Sequence, residues 1–283
     1  MVLRPMQDRA YGTSGPPPES TVMVRVAGVA LILGALGFVM VFAYLALRYS
    51  YPKVLRMPAA AALPALLDLG GVGRVMWTFY ALLPLLLIPA GVGTFHALRK
   101  TNEATMRVAM NLSLVSAIAM TLGLMRWPSA HWHLAIGYEV AGAEGRRVIS
   151  AVYESLNSWL GVFIGDFLGE LCLGAFFVLS GFTMWRTHRF PKWVSALSVV
   201  FGALAWVTMW RNVILVLRPI GMLYGGLLPL WLIVFGVYLL KYKSDRPGAR
   251  KPRGSAPVRE SSKTEGLVAE GPDRDPADEG PAT

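Results

Sequence analysis

The chain has 283 residues, of which 54% are hydrophobic and only 16% charged, and its formal net charge is +10. A soluble domain of this length carries more charge and shorter apolar runs, so that class is excluded. The basic balance raises nucleic acid as a partner, but the arginines and lysines sit beside apolar blocks and no nucleic-acid motif accompanies them, so that class is set aside as well.

Residues 1–24 are polar and rich in Pro and Gly, as expected of a disordered cytoplasmic tail. They lack the pattern of a signal peptide, so the apolar block that follows is read as a retained span. Six blocks follow one another, at about 25–47, 75–98, 105–126, 159–185, 193–217 and 220–241. Each is close to the roughly 20 apolar residues that cross a bilayer core as a helix. Strand-like alternation is absent, and only helices or closed barrels satisfy their backbones in lipid. The fold expected is therefore all-α, a polytopic transmembrane helix bundle of six spans over residues 25–243.

Connections alternate between short and long. The short ones are basic, with Arg99, Lys100 and Arg107 at one and Arg186, Arg189 and Lys192 at another, and Lys241 and Lys243 follow the last span. The positive-inside bias then puts both termini in the cytoplasm. The long connections, about 48–74 and 127–158, are external. The first holds an Ala/Leu-rich stretch from Pro58 to Leu69, expected as a short interfacial helix. The second is expected as a loop whose end turns helical and runs into the fourth span. Beyond Lys243, residues 244–283 have the Pro, Gly, Ser and charge content of a second disordered cytoplasmic tail.

The fourth span contains the stretch GVFIGDFLGELCLG, residues 161–174, where Asp166 and Glu170 interrupt an apolar run. Their i, i+4 spacing places both on one helix face, next to a stripe of Gly161, Gly165 and Gly169 that lets another helix approach closely. At about 1.5 Å of rise per residue, Asp166 and Arg211 of the fifth span both lie roughly 9 Å below the external surface. Arg126 and Arg74 sit nearer the external ends of the third and second spans. Intramembrane charges pair or line a wet cavity, so Arg74, Arg126, Asp166, Glu170 and Arg211 are the candidate ligand-binding residues. The competing reading is an Asp–Arg pair with a protonated Glu170 that only staples helices together.

Other chemistry finds no support. His131 and His133 do not have a recognised metal spacing and are expected in a solvent-facing loop. His96 has only the loop residue His188 as a second haem ligand. Walker, HExxH and nucleophile-elbow patterns are absent, so no catalytic residue, metal or cofactor is assigned. Cys172 is the single cysteine, which excludes an internal disulfide.

The segments LGLMRWP (122–128), LGVFIGDFLGELCLGAFFVLSGF (160–182) and those running from RFPKW at 189 to WLIVFGVYLLK ending at 241 carry a resemblance. Together they resemble a widespread set of bacterial inner-membrane proteins of six to seven helices, known only as a domain of unknown function. An Arg-Trp pair closing the third helix, a Gly/Glu/Leu segment opening the fourth and an Arg/Pro/Trp turn before the fifth carry the likeness. Asp166 stands where that family often has Glu. The resemblance covers roughly residues 25–242, implies a membrane bundle and marks Arg126 and Asp166, but brings no activity or substrate.

Three functional readings follow. The first is non-enzymatic binding or passage of a small amphiphilic or anionic molecule, a membrane lipid included, in an outward-facing polar pocket. A membrane-embedded enzyme acting on a lipid, with Asp166 or Glu170 as acid–base, is the second. The third is a structural or signalling scaffold whose protein partners the sequence does not name.

Overall fold

The computed structural model describes residues 18–187 and 189–242. The expected C-terminal tail, most of the N-terminal one and His188 lie outside the described residues. Seven helices carry the fold: α1 (Pro18–Tyr49), α2 (Ala59–Asp68), α3 (Gly70–Leu98), α4 (Glu103–Val140), α5 (Ala143–Trp185), α6 (Lys192–Asn212) and α7 (Leu215–Leu240). All but α2 are long and apolar enough to cross a membrane, and no strand occurs among the described residues. Helix α1 is already helical at Pro18, ahead of the apolar block expected from about residue 25.

The stretch 127–158 is not a loop. Pro128 reads as a helix end in sequence because it removes an amide donor and clashes with the preceding turn. Here α4 changes to π-winding over Trp127–His131, and the His131 amide donates to the Arg126 carbonyl at 2.8 Å. That wider turn bypasses the proline, and α4 continues to Val140. After one break α5 begins, α-helical over Ala143–Leu156, π-wound over Asn157–Leu168 and α-helical again over Gly169–Trp185.

The six long helices form a closed ring in the order α1, α3, α4, α5, α6, α7, each packed on the next and α7 returning to α1. At one end lie the short turns: the Tyr242 hydroxyl donates to the Ala97 carbonyl at 3.2 Å and accepts from Arg189. Helix α2 packs on the C-terminal part of α4 at the opposite, capped end, and buries Ala62, Leu63 and Leu66 there. Two apolar clusters result. One holds Phe176, Phe177, Trp231 and Phe235, and the other, at the capped end, holds Tyr49, Trp77, Trp127 and Tyr153.

Lipid tails are as apolar as Leu, so helices in a bilayer associate through close packing and interhelical hydrogen bonds. The ring uses both. A Cβ on Gly28 of α1 would lie 2.6 Å from the Gly236 carbonyl oxygen of α7, and one on Gly123 would lie 2.6 Å from the Gly165 Cα. Ser116 of α4 donates to the Gly169 carbonyl at 2.9 Å, and Ser198 of α6 donates to the Phe177 carbonyl at 2.8 Å. The glycine stripe of α5 thus faces α4, as its spacing implies.

Candidate functional site

A cavity of about 570 Å³ lies inside the ring, bordered by Leu31, Leu87 and Leu173 of the first apolar cluster and by Tyr80 and Leu83 of the second. The capped-end side of its wall is charged. Asp166 and Glu170 reach it from α5, Arg126 from α4, Arg211 from the last turn of α6, Arg218 from the first turn of α7, and Arg56 from the 3-10 turn Lys53–Arg56.

Arg211 is the centre of one group. Its Nη2 lies 3.0 Å from Asp166 Oδ2 and its Nη1 lies 2.5 Å from Glu170 Oε1. Thr208 Oγ1 donates to Glu170 Oε2 at 2.9 Å, and Asn212 Nδ2 donates to Asp166 Oδ2 at 2.7 Å. The 3-10 winding of Met209–Asn212 brings Arg211 and Asn212 together toward α5. Gly221 of α7 leaves room for the guanidinium stem, since a Cβ there would lie 2.5 Å from Arg211 Cδ. The pair expected from equal depth is present, and the same guanidinium also reaches Glu170, so one arginine bridges both acids.

Arg126 belongs to a second group. It is 7% exposed, and its Nε and Nη2 donate to Asn157 Oδ1 at 3.2 and 3.0 Å. A third donor reaches the Gly123 carbonyl, and the guanidinium lies 5.4 Å from the Trp127 ring centroid. Asn157 in turn donates to the Leu55 carbonyl at 3.1 Å, tying α5 to the turn that carries Arg56. Arg126 makes no ion pair among the described residues. Gly161 permits this placement, because any side chain there would collide with the guanidinium.

Three further features went unread in the sequence. Arg218 lines the cavity with a buried Nε that has no hydrogen-bond partner among the described residues. The hydroxyl of Tyr224, a 3% exposed residue, also lines it and is likewise unpartnered. Arg56 stands at the rim, where burial and then the like charges of Arg218 and Arg211 push its guanidinium below its usual value. Arg218 looks in sequence like an ordinary charge at a span end, and Asn157 like a loop amide, so neither gives a signal.

Two other sequence readings change. Arg74 does not line the cavity: its Nε donates to the Pro128 carbonyl at 3.0 Å and its guanidinium sits over Trp132. His131 is not solvent-facing but fully buried, because the continuing helix turns it against Trp127 and Tyr153, with ring centroids 4.7 and 4.6 Å away. His133 is exposed, and no group of His, Cys, Asp and Glu suited to a metal occurs among the described residues.

The family described as a domain of unknown function, DUF4386, matches residues 26–242, a region that includes every cavity residue and all of the ring but the first residues of α1. The chain belongs to this family. Its description assigns no activity, so family membership leaves the chemistry to the cavity itself. No curated protein and no solved structure matches the chain.

Proposed function

We propose that the protein is a non-enzymatic binding protein of the bacterial inner membrane, and that its cavity holds a small amphiphile by its anionic head. In this reading both chain ends are cytoplasmic and the capped end faces outward. The basic residues Arg99, Lys100, Arg186, Lys192 and Lys241 at the short-turn end support that orientation. The observation that carries the proposal is Arg126. A buried cation with no counter-ion is costly, and an incoming anion removes that cost through charge-assisted hydrogen bonds. The rest of the cavity lining is largely Leu, Gly, Phe and Pro, which suits an apolar tail.

Acid–base chemistry on a lipid is less well supported. It needs a free carboxylate, whereas Asp166 and Glu170 are held by Arg211, Asn212 and Thr208. The same bonds make these acids a fixed frame around Arg211.

Mass spectrometry of the protein purified under mild conditions tests the proposal. An anionic amphiphile is expected to accompany the parent chain and to be lost from Arg126→Gln. Equal retention by both proteins overturns the assignment of Arg126. For the orientation, Ser129→Cys and Thr101→Cys in a Cys172→Ser background are labelled in intact cells with an impermeant reagent. Only Ser129→Cys is expected to react, and reaction at Thr101→Cys reverses the map.

A further inference from the structure

The charge around the cavity does not balance. Arg56, Arg126, Arg211 and Arg218 face Asp166 and Glu170. Both acids are engaged with Arg211, so Arg56, Arg126 and Arg218 make no ion pair among the described residues, and four arginines against two acids leave an excess of two positive charges. A head with two negative charges and no positive one matches that deficit. A zwitterionic head does not.

The cavity also has an open side. Gly225 and Gly236 are eleven residues apart, about three turns at 3.6 residues per turn, so they share one face of α7. At Gly236 that face touches the backbone of α1. At Gly225 and Gly226 a Cβ would meet nothing within 4 Å, although both residues line the cavity. Pro229 lies between the two levels and interrupts the helical hydrogen-bond ladder, a common cause of a kink. Helices α1 and α7 therefore meet at the short-turn end and separate toward the capped end.

The opening is flanked by apolar, unshielded residues. Met222, which lines the cavity, is 63% exposed, and Leu215 and Val216 at the start of α7 are 57% and 78% exposed. Such a surface belongs in hydrocarbon, so the mouth opens onto the bilayer. The volume of about 570 Å³ is that of a pocket for a drug-sized ligand. It accommodates a head and its linker, and acyl chains would leave through the mouth.

We infer that the occupant is a phosphomonoester lipid taken up sideways from the bilayer between α1 and α7, its phosphate held by Arg126 and Arg218 with the Tyr224 hydroxyl donating to it. This rests on the reading of the cavity as an anion site. It adds the class of head and the lipid source.

The full-length chain is reconstituted in phosphatidylcholine vesicles containing either phosphatidate or phosphatidylglycerol, re-extracted, and its retained lipid counted by native mass spectrometry. Soluble glycerol 3-phosphate is tested in parallel by the shift it causes in thermal unfolding. Phosphatidate is expected to be retained over phosphatidylglycerol by about tenfold or more, the scale of one charge-assisted hydrogen bond. Arg218→Gln is expected to erase that preference. Gly225→Trp and Gly226→Trp, placed in open space, are expected to abolish phosphatidate retention while the glycerol 3-phosphate shift persists. Gly225→Leu serves if a tryptophan lowers the unfolding temperature of the free protein.

Unchanged retention in folded plugged variants overturns the sideways route. Equal retention of the two lipids overturns the doubly charged head. A glycerol 3-phosphate shift with no lipid retained leaves the anion site standing and removes the lipid. If neither probe binds, the anion site fails as well.

Discussion

At Gly236, α7 lies against the backbone of α1, whereas three turns earlier Gly225 on the same face touches nothing. The short-turn half of the ring is built from such close approaches, and Gly174 of α5 meets the Gly202 carbonyl of α6 in the same manner. In the capped half α1 and α7 stand further apart beside six charged side chains and a cavity, while Gly123 of α4 and Gly165 of α5 still meet there. Small residues alone do not draw helices together. They do so where the facing helix presents its backbone or another small residue, as at Gly28–Gly236 and Gly123–Gly165, and they leave a gap where no helix faces them, as at Gly225.

The largest effect expected is on the charged half. Arg211→Ala leaves Asp166 and Glu170 without their cation and should cost about 3–5 kcal/mol, the range for breaking buried pairs in soluble proteins. Asp166 is 38% exposed on its side chain, so Asp166→Ala should cost less, because an exposed pair is worth little. Replacing Asp166, Glu170 and Arg211 together by Leu, Leu and Met should recover most of the loss. Thermal unfolding in one detergent measures all three, and a simple sum of the single effects would show that the three side chains do not interact.

In the pinched half, Gly236→Leu forces α7 away from α1 and should cost about 1–3 kcal/mol or more, the penalty of overpacking. Gly225→Leu should change unfolding by less than about 0.5 kcal/mol, as at an unconstrained surface site. Similar losses at the two positions would show that α1 and α7 do not diverge.

A last comparison sharpens the difference between Arg211 and Arg126. Arg126→Met removes a buried cation that has no acid partner but strands Asn157 Oδ1 and the Gly123 carbonyl, so it should cost about 1–3 kcal/mol in the ligand-free protein, the penalty of unsatisfied buried acceptors, and less than Arg211→Ala. The same variant should lose the co-purifying amphiphile. A loss as large as that of Arg211→Ala would mean that Arg126 is mainly a helix staple.

The six long helices were legible in sequence because crossing a bilayer demands a long apolar run and little else. Asp166 and Arg211 were legible because charge inside such a run is costly and equal depth on neighbouring helices brings partners together. Residues 127–158 misled because Pro128 normally ends a helix, and the change to π-winding that carries α4 past it leaves no mark in composition. His131 was misread for the same reason. Arg74 lies at the right depth, but its azimuth around α3 takes it to Pro128 and Trp132 and away from the cavity. Asn157 and Arg218 were missed because a polar residue near a span end is ordinary. Only the folded ring shows that they face inward.

The i→i+5 winding of Asn157–Leu168 has a consequence for the length of the chain itself. A π-wound stretch holds more residues per turn than an α-helix, so it resembles a helix that has absorbed an insertion while the flanking segments kept their positions. One residue taken from its lipid-facing side, such as the half-exposed Phe163, can be accommodated by tightening back toward α-winding. The same deletion within Gly169–Trp185, which is already α-helical, has no such slack and rotates every residue beyond it by about 100°, one residue's share of a 3.6-residue turn. The ring is therefore more tolerant of a lost residue beside its charged cavity than in its apolar core.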